Sequence, residues 1–341
     1  NELVQLIQAA SIAINKMDDS IFIYYDNGAI RSKGYFKNDH PQGLLIEYYA
    51  QGQVKREITY SEGKQTGITK TYYPNGQLHT EGHYVNGIVN GYYVTYFSNG
   101  QIETKSTLIE GAKSGSFQNY DSLGNLLLDG KYESGVLHGA NTAYFANGKV
   151  RHQLNYYNGK LMGVNSYFRR DGSKEKEIVT SKDGLNKTVS MYNLTGKIRK
   201  TESYLNDKPN GEWASYDSLG VKFKTEQYEL GRRHGMVREY YSTGAVKREV
   251  PFKYDSQYGE IKTFYESGEL ESRQPVRNSI IHGSFFRYNE TGSIIETGEF
   301  AGGRKVGSWK FFDENNQLIK TEVYTVGKLI ETIFPETKES N

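Results

Sequence analysis

Gly28 returns as Gly52, Gly76, Gly100, Gly124, Gly148, Gly172, Gly196, Gly220, Gly244, Gly268 and Gly292, and then as Asn316, at a constant interval of 24 residues. A fixed period of this length with no insertion is the signature of a stacked repeat, in which each unit is a small supersecondary element that buries its apolar face only against its neighbours. Four residues before each marker the side chain is always aromatic: Tyr24, Tyr48, Tyr72, Tyr96, Tyr120, Tyr144, Phe168, Tyr192, Tyr216, Tyr240, Phe264, Tyr288 and Phe312. Two further glycine series, one containing Gly43, Gly67 and Gly91 and the other Gly63, Gly87 and Gly111, punctuate the same register. Each unit therefore has two turns and room for two strands.

Residues 67–91 show how one unit is built. Tyr73, Pro74, Asn75 and Gly76 suit a type I turn closed by a left-handed glycine, as in a three-residue hairpin loop. That turn sets Tyr72 directly across from Leu78. The position of Leu78 is aliphatic in most units, with Lys174 and Lys222 as exceptions. Six residues on come Phe36, Tyr60, Tyr84, Leu108, Tyr132, Tyr156, Tyr204, Tyr228, Phe252, Val276, Phe300 and Tyr324; even spacing predicts that this row shares a face with Leu78. A third apolar row, including Leu45, Tyr93, Phe117, Val189, Trp213, Val237, Phe285 and Trp309, has odd spacing from the Tyr72 row. Either a bulge beside the Gly91 series brings the two together or both faces carry apolar cover.

The predicted fold is all-β: an elongated antiparallel β-hairpin array, a single-layer, solenoid-like twisted ribbon. Thirteen repeats over residues 19–334 form one domain. Leu3, Leu6, Ile7, Ala10, Ile14 and Met17 follow helical spacing, so residues 1–18 read as a helical cap over an open sheet edge; Leu6 and Ile12 also match the repeat register, which makes a degenerate half-repeat the competing reading. Residues 335–341 read as a C-terminal tail.

Composition narrows the function classes. Net charge is +2 with a pI near 8.3, so no global field draws the chain to nucleic acid, and membrane contact is at most peripheral. There is no cysteine, which removes disulfides and thiolate chemistry and fits either redox compartment. No run of about 18 apolar residues occurs to span a bilayer. The chain starts at Asn1 without a basic-then-apolar leader; removal of an export signal or a truncated start would each explain this, and a cell-envelope or exported location is slightly favoured over a cytoplasmic one.

The strings YYPNGQL, YFSNGQI and YFANGKV, together with the His-Gly pairs that end at Gly139, Gly235 and Gly283, resemble MORN repeats, in particular the bacterial 24-residue variant form. The resemblance covers residues 19–334 and implies a hairpin array with a scaffold or interaction role. Proteins of this kind are sometimes labelled antitoxins from gene context, and MORN repeats elsewhere are linked to membrane lipids. The Tyr-Asp repeat shell of large secreted toxins is a neighbouring resemblance, carried only by YDSLG at Tyr120–Gly124 and Tyr216–Gly220.

Candidate sites are few. His79, Glu81 and His83 alternate on one predicted strand and offer a metal two imidazoles and a carboxylate, on a face where polar residues are expected anyway. His138, His234 and His282 precede turn glycines, where a turn hydrogen bond accounts for them. Asp18 with Asp19, and Glu175 with Glu177, are the paired acids. No nucleophile, base and orienting group share a known spacing, so the chain reads as a non-enzyme without cofactor or metal.

Two features point to partners. Residues 169–200 hold nine cations, Arg169, Arg170, Lys174, Lys176, Lys182, Lys187, Lys197, Arg199 and Lys200, against four acids, Asp171, Glu175, Glu177 and Asp183. Within that interval Lys174, Thr180 and Lys187 replace an aliphatic, an aromatic and a glycine of the pattern, which reads as a site for an acidic partner or as a poorly packed unit. The second feature is an aromatic ladder directly after the Tyr72 row, with Tyr25, Tyr49, Tyr73 and Phe97 joined further on by Phe145, Tyr241 and Tyr265. Such a row either grips a polypeptide or glycan or covers the back of a thin sheet. The leading expectation is a scaffold that binds one or more proteins. A carbohydrate or cell-envelope glycan binder is the alternative, with antitoxin-like binding or membrane-surface attachment beyond it.

Overall fold

The computed structural model describes residues 20–38 and 40–335. The expected N-terminal cap, Asp18 and Asp19, and all but the first residue of the expected tail lie outside them. The described residues form thirty-three β-strands and no helix. Cα packing divides the chain into two compact units, Asn1–Gly172 and Ser173–Asn341. Within each, strands pair antiparallel with their sequence neighbours in an open sheet that does not close into a barrel.

The turns follow from the residues that make them. Tyr73 N–H donates to Gln77 O at 2.8 Å, Gly76 N–H donates to Tyr73 O at 2.9 Å, and Gly76 sits at φ +84°. Tyr72 therefore stands opposite Leu78, as the turn chemistry predicts. At the other end of the hairpin, Asn86 at φ 51° and Gly87 at φ 83° form a two-residue loop with both residues left-handed, the type I′ turn whose twist matches that of the strands.

Past the Tyr72–Leu78 pair the register slips by one, so that Thr71 faces Thr80 and His79 is an extra residue. The same bulge places Arg31, Lys55, Arg199 and Lys247 as extra residues in their hairpins. One added residue reverses the alternation of sides. The expectation that Leu78 and Tyr84 share a face is therefore corrected. The Tyr84 row stands instead with the third apolar row, as the ring contacts show: Phe117 with Tyr132 at 5.4 Å, Trp213 with Tyr228 at 4.6 Å and Phe300 with Trp309 at 5.0 Å.

Both faces consequently carry apolar cover. A bulge also occurs beside Gly91, where the pairing jumps from Tyr84–Val89 to Gly82–Tyr93, but it inserts two residues and so leaves the sides unchanged. The more deeply packed face holds Leu45, Ile58, Phe117, Leu154, Val189, Val237, Val250 and Trp309, all buried. On the other face Tyr72-type rings reach the preceding repeat in places: Tyr72 Oη donates to Glu57 at 2.9 Å, and Tyr288 Oη accepts from Arg273 Nε at 3.1 Å.

Glycine recurs on the packed face for lack of room. A Cβ added at Gly298 would lie 2.2 Å from Trp309, one at Gly82 2.5 Å from Tyr93, and one at Gly34 2.5 Å from Leu45. Wide side chains lie flat over these backbones, and only glycine admits them.

The repeat that begins after Gly172 departs from this scheme. Lys187 stands where other repeats have the left-handed glycine, and its strand pairs without a jump from Thr180–Lys187 through Ile178–Val189. The two residues absorbed elsewhere by the bulge are taken up by a longer turn, closed by Ser181 N–H to Asn186 O at 2.9 Å with Gly184 at φ +77°. A strand without its glycine cannot form the bulge, and the turn lengthens to hold the register.

Candidate functional site

The ladder tyrosines are half-buried and stitch one repeat to the next. Tyr25 Oη donates to Tyr48 O, Tyr49 Oη to Tyr72 O and Tyr265 Oη to Tyr288 O, each at 2.7 Å, while Tyr73 Oη donates to Tyr96 O and Tyr241 Oη to Phe264 O, each at 2.8 Å. The bulge residue covers the ring. Arg31 lies over Tyr25 and Lys55 over Tyr49 at 5.9 Å, Lys247 over Tyr241 at 5.5 Å, and the His79 ring 4.3 Å from that of Tyr73. Phe97 and Phe145 fill the same position without a hydroxyl; beside them Asn99 Nδ2 donates to Ser122 O at 2.8 Å and Asn147 Nδ2 to Arg170 O at 2.9 Å.

One other repeat holds Arg169 at the ladder position and the rest hold Asp or Asn, whose side chains turn inward. Asp121 Oδ1 accepts from the N–H groups of Leu123 and Asn125, and Asp217 Oδ1 from those of Leu219 and Val221. This is the Asx geometry that organises a turn locally, and it accounts for both YDSLG strings. The hydrogen bonds, first of all those from Asn125, hold the exposed Asp121 carboxyl below the usual range. The array thus uses two devices at one position: an aromatic that ties a turn to the next repeat, or an Asx that ties the turn to itself. The opposite edge is stitched by backbone, since Gly87 N–H donates to Gln65 O at 2.8 Å and Gly111 N–H to Val89 O at 2.9 Å.

The basic interval is largely engaged with its own surroundings. Lys174 pairs with Glu177 and lies over the Tyr192 ring. Lys187 pairs with Asp207, Lys200 with Glu202, and Lys197 Nζ donates to Leu219 O. Arg169 and Lys176 are half-buried and also engaged, whereas Arg170 and Lys182 are exposed.

The His79–Glu81–His83 trio does not converge. His79 is the bulge residue packed on Tyr73, Glu81 accepts from Tyr92 Oη at 2.8 Å, and His83 Nδ1 bonds Asn90 O at 2.7 Å. Glu81 and His83 keep one side, opposite Lys70 and Ile68, and their separate hydrogen-bond partners hold them apart. Among the described residues no three His, Cys, Asp or Glu side chains gather to hold a metal. His138, His234 and His282 donate their backbone N–H groups to Lys131, Gln227 and Pro275 across the glycine bulge. His138 Nδ1 lies 3.0 Å from Glu133 Oε2 but off-axis for a hydrogen bond.

One feature escaped the sequence reading. In the first unit Leu44, Ile68 and Tyr92 recur at one repeat position in successive repeats and are exposed, at 51%, 46% and 38%. They stand on the same face as the Tyr72 row, with half-buried Ile46 and Val94 two residues on. The signal was a further, short period-24 row directly after the Gly43 series, lost among stronger ones.

No curated protein matches the chain. Among solved structures it is similar to a mutant of S. aureus TarM in complex with Fondaparinux, alpha-GlcNAc-glycerol and UDP, at 17% identity and a TM-score of 0.23 over 28% of this chain and 19% of that one. It is also similar to TcdB2-TccC3, at 12% identity and a TM-score of 0.19 over 93% of this chain and 19% of that one. The chain thus spans about a fifth of the length of the structures it matches, and likenesses this distant say nothing of its role. The MORN repeat variant model matches residues 21–38, 41–62, 65–86, 137–158, 233–254, 257–278 and 305–325. The chain accordingly carries MORN repeats of the variant type at seven positions along its length.

Proposed function

We propose that this chain is a non-enzymatic scaffold that docks a protein partner on the open sheet face of its first unit. The observation that carries this reading is the stripe of Leu44, Ile68 and Tyr92, exposed at the same position in three consecutive repeats. Equivalent positions in a hairpin array lie about 10 Å apart, so the stripe is an ordered run of apolar anchors, and contiguous exposed apolar surface marks an interaction site. The polar groups around it are already paired: Tyr92 with Glu81, and Lys70 with Glu81 at 3.7 Å. A partner can therefore cover the stripe without stranding a buried charge.

The test is a photo-crosslinking amino acid at position 92 in the native extract. One discrete partner is expected, lost in Leu44→Lys/Ile68→Lys with the circular dichroism spectrum unchanged. No crosslinked species, or one indifferent to the two lysines, would remove the reading.

A further inference from the structure

The ladder position contains its own template for a ligand. Around Tyr25 a pocket of about 60 Å³ is lined by Tyr25, Arg31, Glu47, Tyr48 and Lys55. The equivalent place later in the chain, around Asn289, is a hollow of about 470 Å³ walled by Ile295, Phe311, Phe312 and Ile319; Asp313 and two cations also line it, Arg287 paired with Glu296 and Lys320 paired with Glu322. In the first a phenol stands in the space and bonds the Tyr48 carbonyl. In the second the residue at the ladder position is Asn289, whose Oδ1 turns back to accept from the N–H groups of Thr291 and Ser293. The Phe312 carbonyl corresponds to those of Tyr48 and Tyr72, and among the described residues no side chain donates to it. Glu314 stands exposed on the rim of the hollow, with no cation paired to it among the described residues.

We infer that this hollow is a socket for a tyrosine of a partner polypeptide, with a lysine or arginine next to it in the partner's sequence. The phenol takes the place that the chain's own tyrosine takes in five other repeats. Its ring lies between Ile295 and Ile319, its hydroxyl donates to Phe312 O, and the adjacent cation meets Glu314. Phenylalanine would fill the walls but leave the carbonyl unanswered, so the socket discriminates by one hydrogen bond, a factor of about 3 to 10. The inference rests on the docking reading above, and adds a second, chemically specific contact in the other unit.

The probe is the capped dipeptide N-acetyl-Tyr-Lys-amide, followed by the δ-methyl resonances of Ile295 and Ile319 in the full chain. Saturable shifts are expected with a dissociation constant on the order of 1–10 mM, the scale for one buried ring, and N-acetyl-Phe-Lys-amide should bind about 3- to 10-fold more weakly. Asn289→Tyr supplies the ring from within and should abolish the response. Ile319→Lys, at an exposed position, should weaken it without endangering the fold. Absent shifts, equal affinity for the two dipeptides, or undiminished binding to both variants would overturn the socket. Any of these with crosslinking at residue 92 retained would leave the docking reading standing, whereas loss of that crosslink with the methyl response intact would do the reverse.

Discussion

The hydroxyl of Tyr49 donates to the carbonyl of Tyr72, 2.7 Å away and 23 residues further along the chain. This bond joins the turn of one repeat to the strand end of the next, where the hairpin's own ladder provides no partner. Tyr49→Phe keeps the ring and removes the bond, and should cost about 0.5–1.5 kcal/mol. Native-state hydrogen exchange is the sharper measurement, because stability in an array is nearest-neighbour in form. Protection should fall around the Tyr72 strand end and stay unchanged in the second unit. A uniform loss would contradict the local role.

Trp309 is 1% exposed and packs on Phe285, Phe300 and Tyr324. Trp309→Ala should cost about 3–5 kcal/mol. Gly298→Ala should cost about 1–3 kcal/mol by overpacking, and almost nothing in the Trp309→Ala background, where the obstructing ring is gone. A double-mutant cycle by urea unfolding checks this coupling; additive costs would show that Gly298 is kept for another reason.

Val326 holds φ +51° in a turn where the equivalent residue Asn86 holds the same angle. A β-branched side chain is strained there, whereas asparagine visits the region readily. Val326→Asn should stabilise the chain by about 1 kcal/mol, and Asn86→Val should destabilise it by a similar amount. Urea midpoints of the two variants provide the measurement.

Burial, followed by the hydrogen bond and charge of Glu57, pushes the Tyr72 phenol up to about 12. The folded value lies above the unfolded value of about 10. Its contribution to stability is therefore intact below pH ~10 and is lost as pH rises through about 12. Tyr72→Phe should flatten the stability curve across that window. Glu57→Gln should lower the Tyr72 midpoint, read by ring NMR, but only in part, because desolvation is the larger cause. Parallel stability curves for wild type and Tyr72→Phe would refute the assignment.

Much of this fold was legible residue by residue. The turn at Tyr73–Gly76 and the Tyr72–Leu78 pair follow from local backbone chemistry, which acts within four or five residues. The alternation of sides beyond Leu78 was not legible, because period-2 reasoning has no term for the extra residue His79. That one insertion moved Tyr84 to the other face. The glycines at 34, 82, 130 and 298 were equally opaque, since what excludes a Cβ is the residue across the ladder and not a neighbour in sequence. Sites were less legible than fold for the same reason: nothing within one repeat of the sequence says that the ladder hydroxyls reach the carbonyls of the next repeat.

The 24-residue period, the turn types and the pairing of strands within a hairpin are properties of the sequence alone, because short-range backbone sterics and one repeated register decide them. Which side each row occupies, which aromatics are tied to the neighbouring repeat and where a hollow opens at Asn289 were decided only in the tertiary structure. There bulges reset the alternation, and each repeat is completed by atoms that the next one contributes.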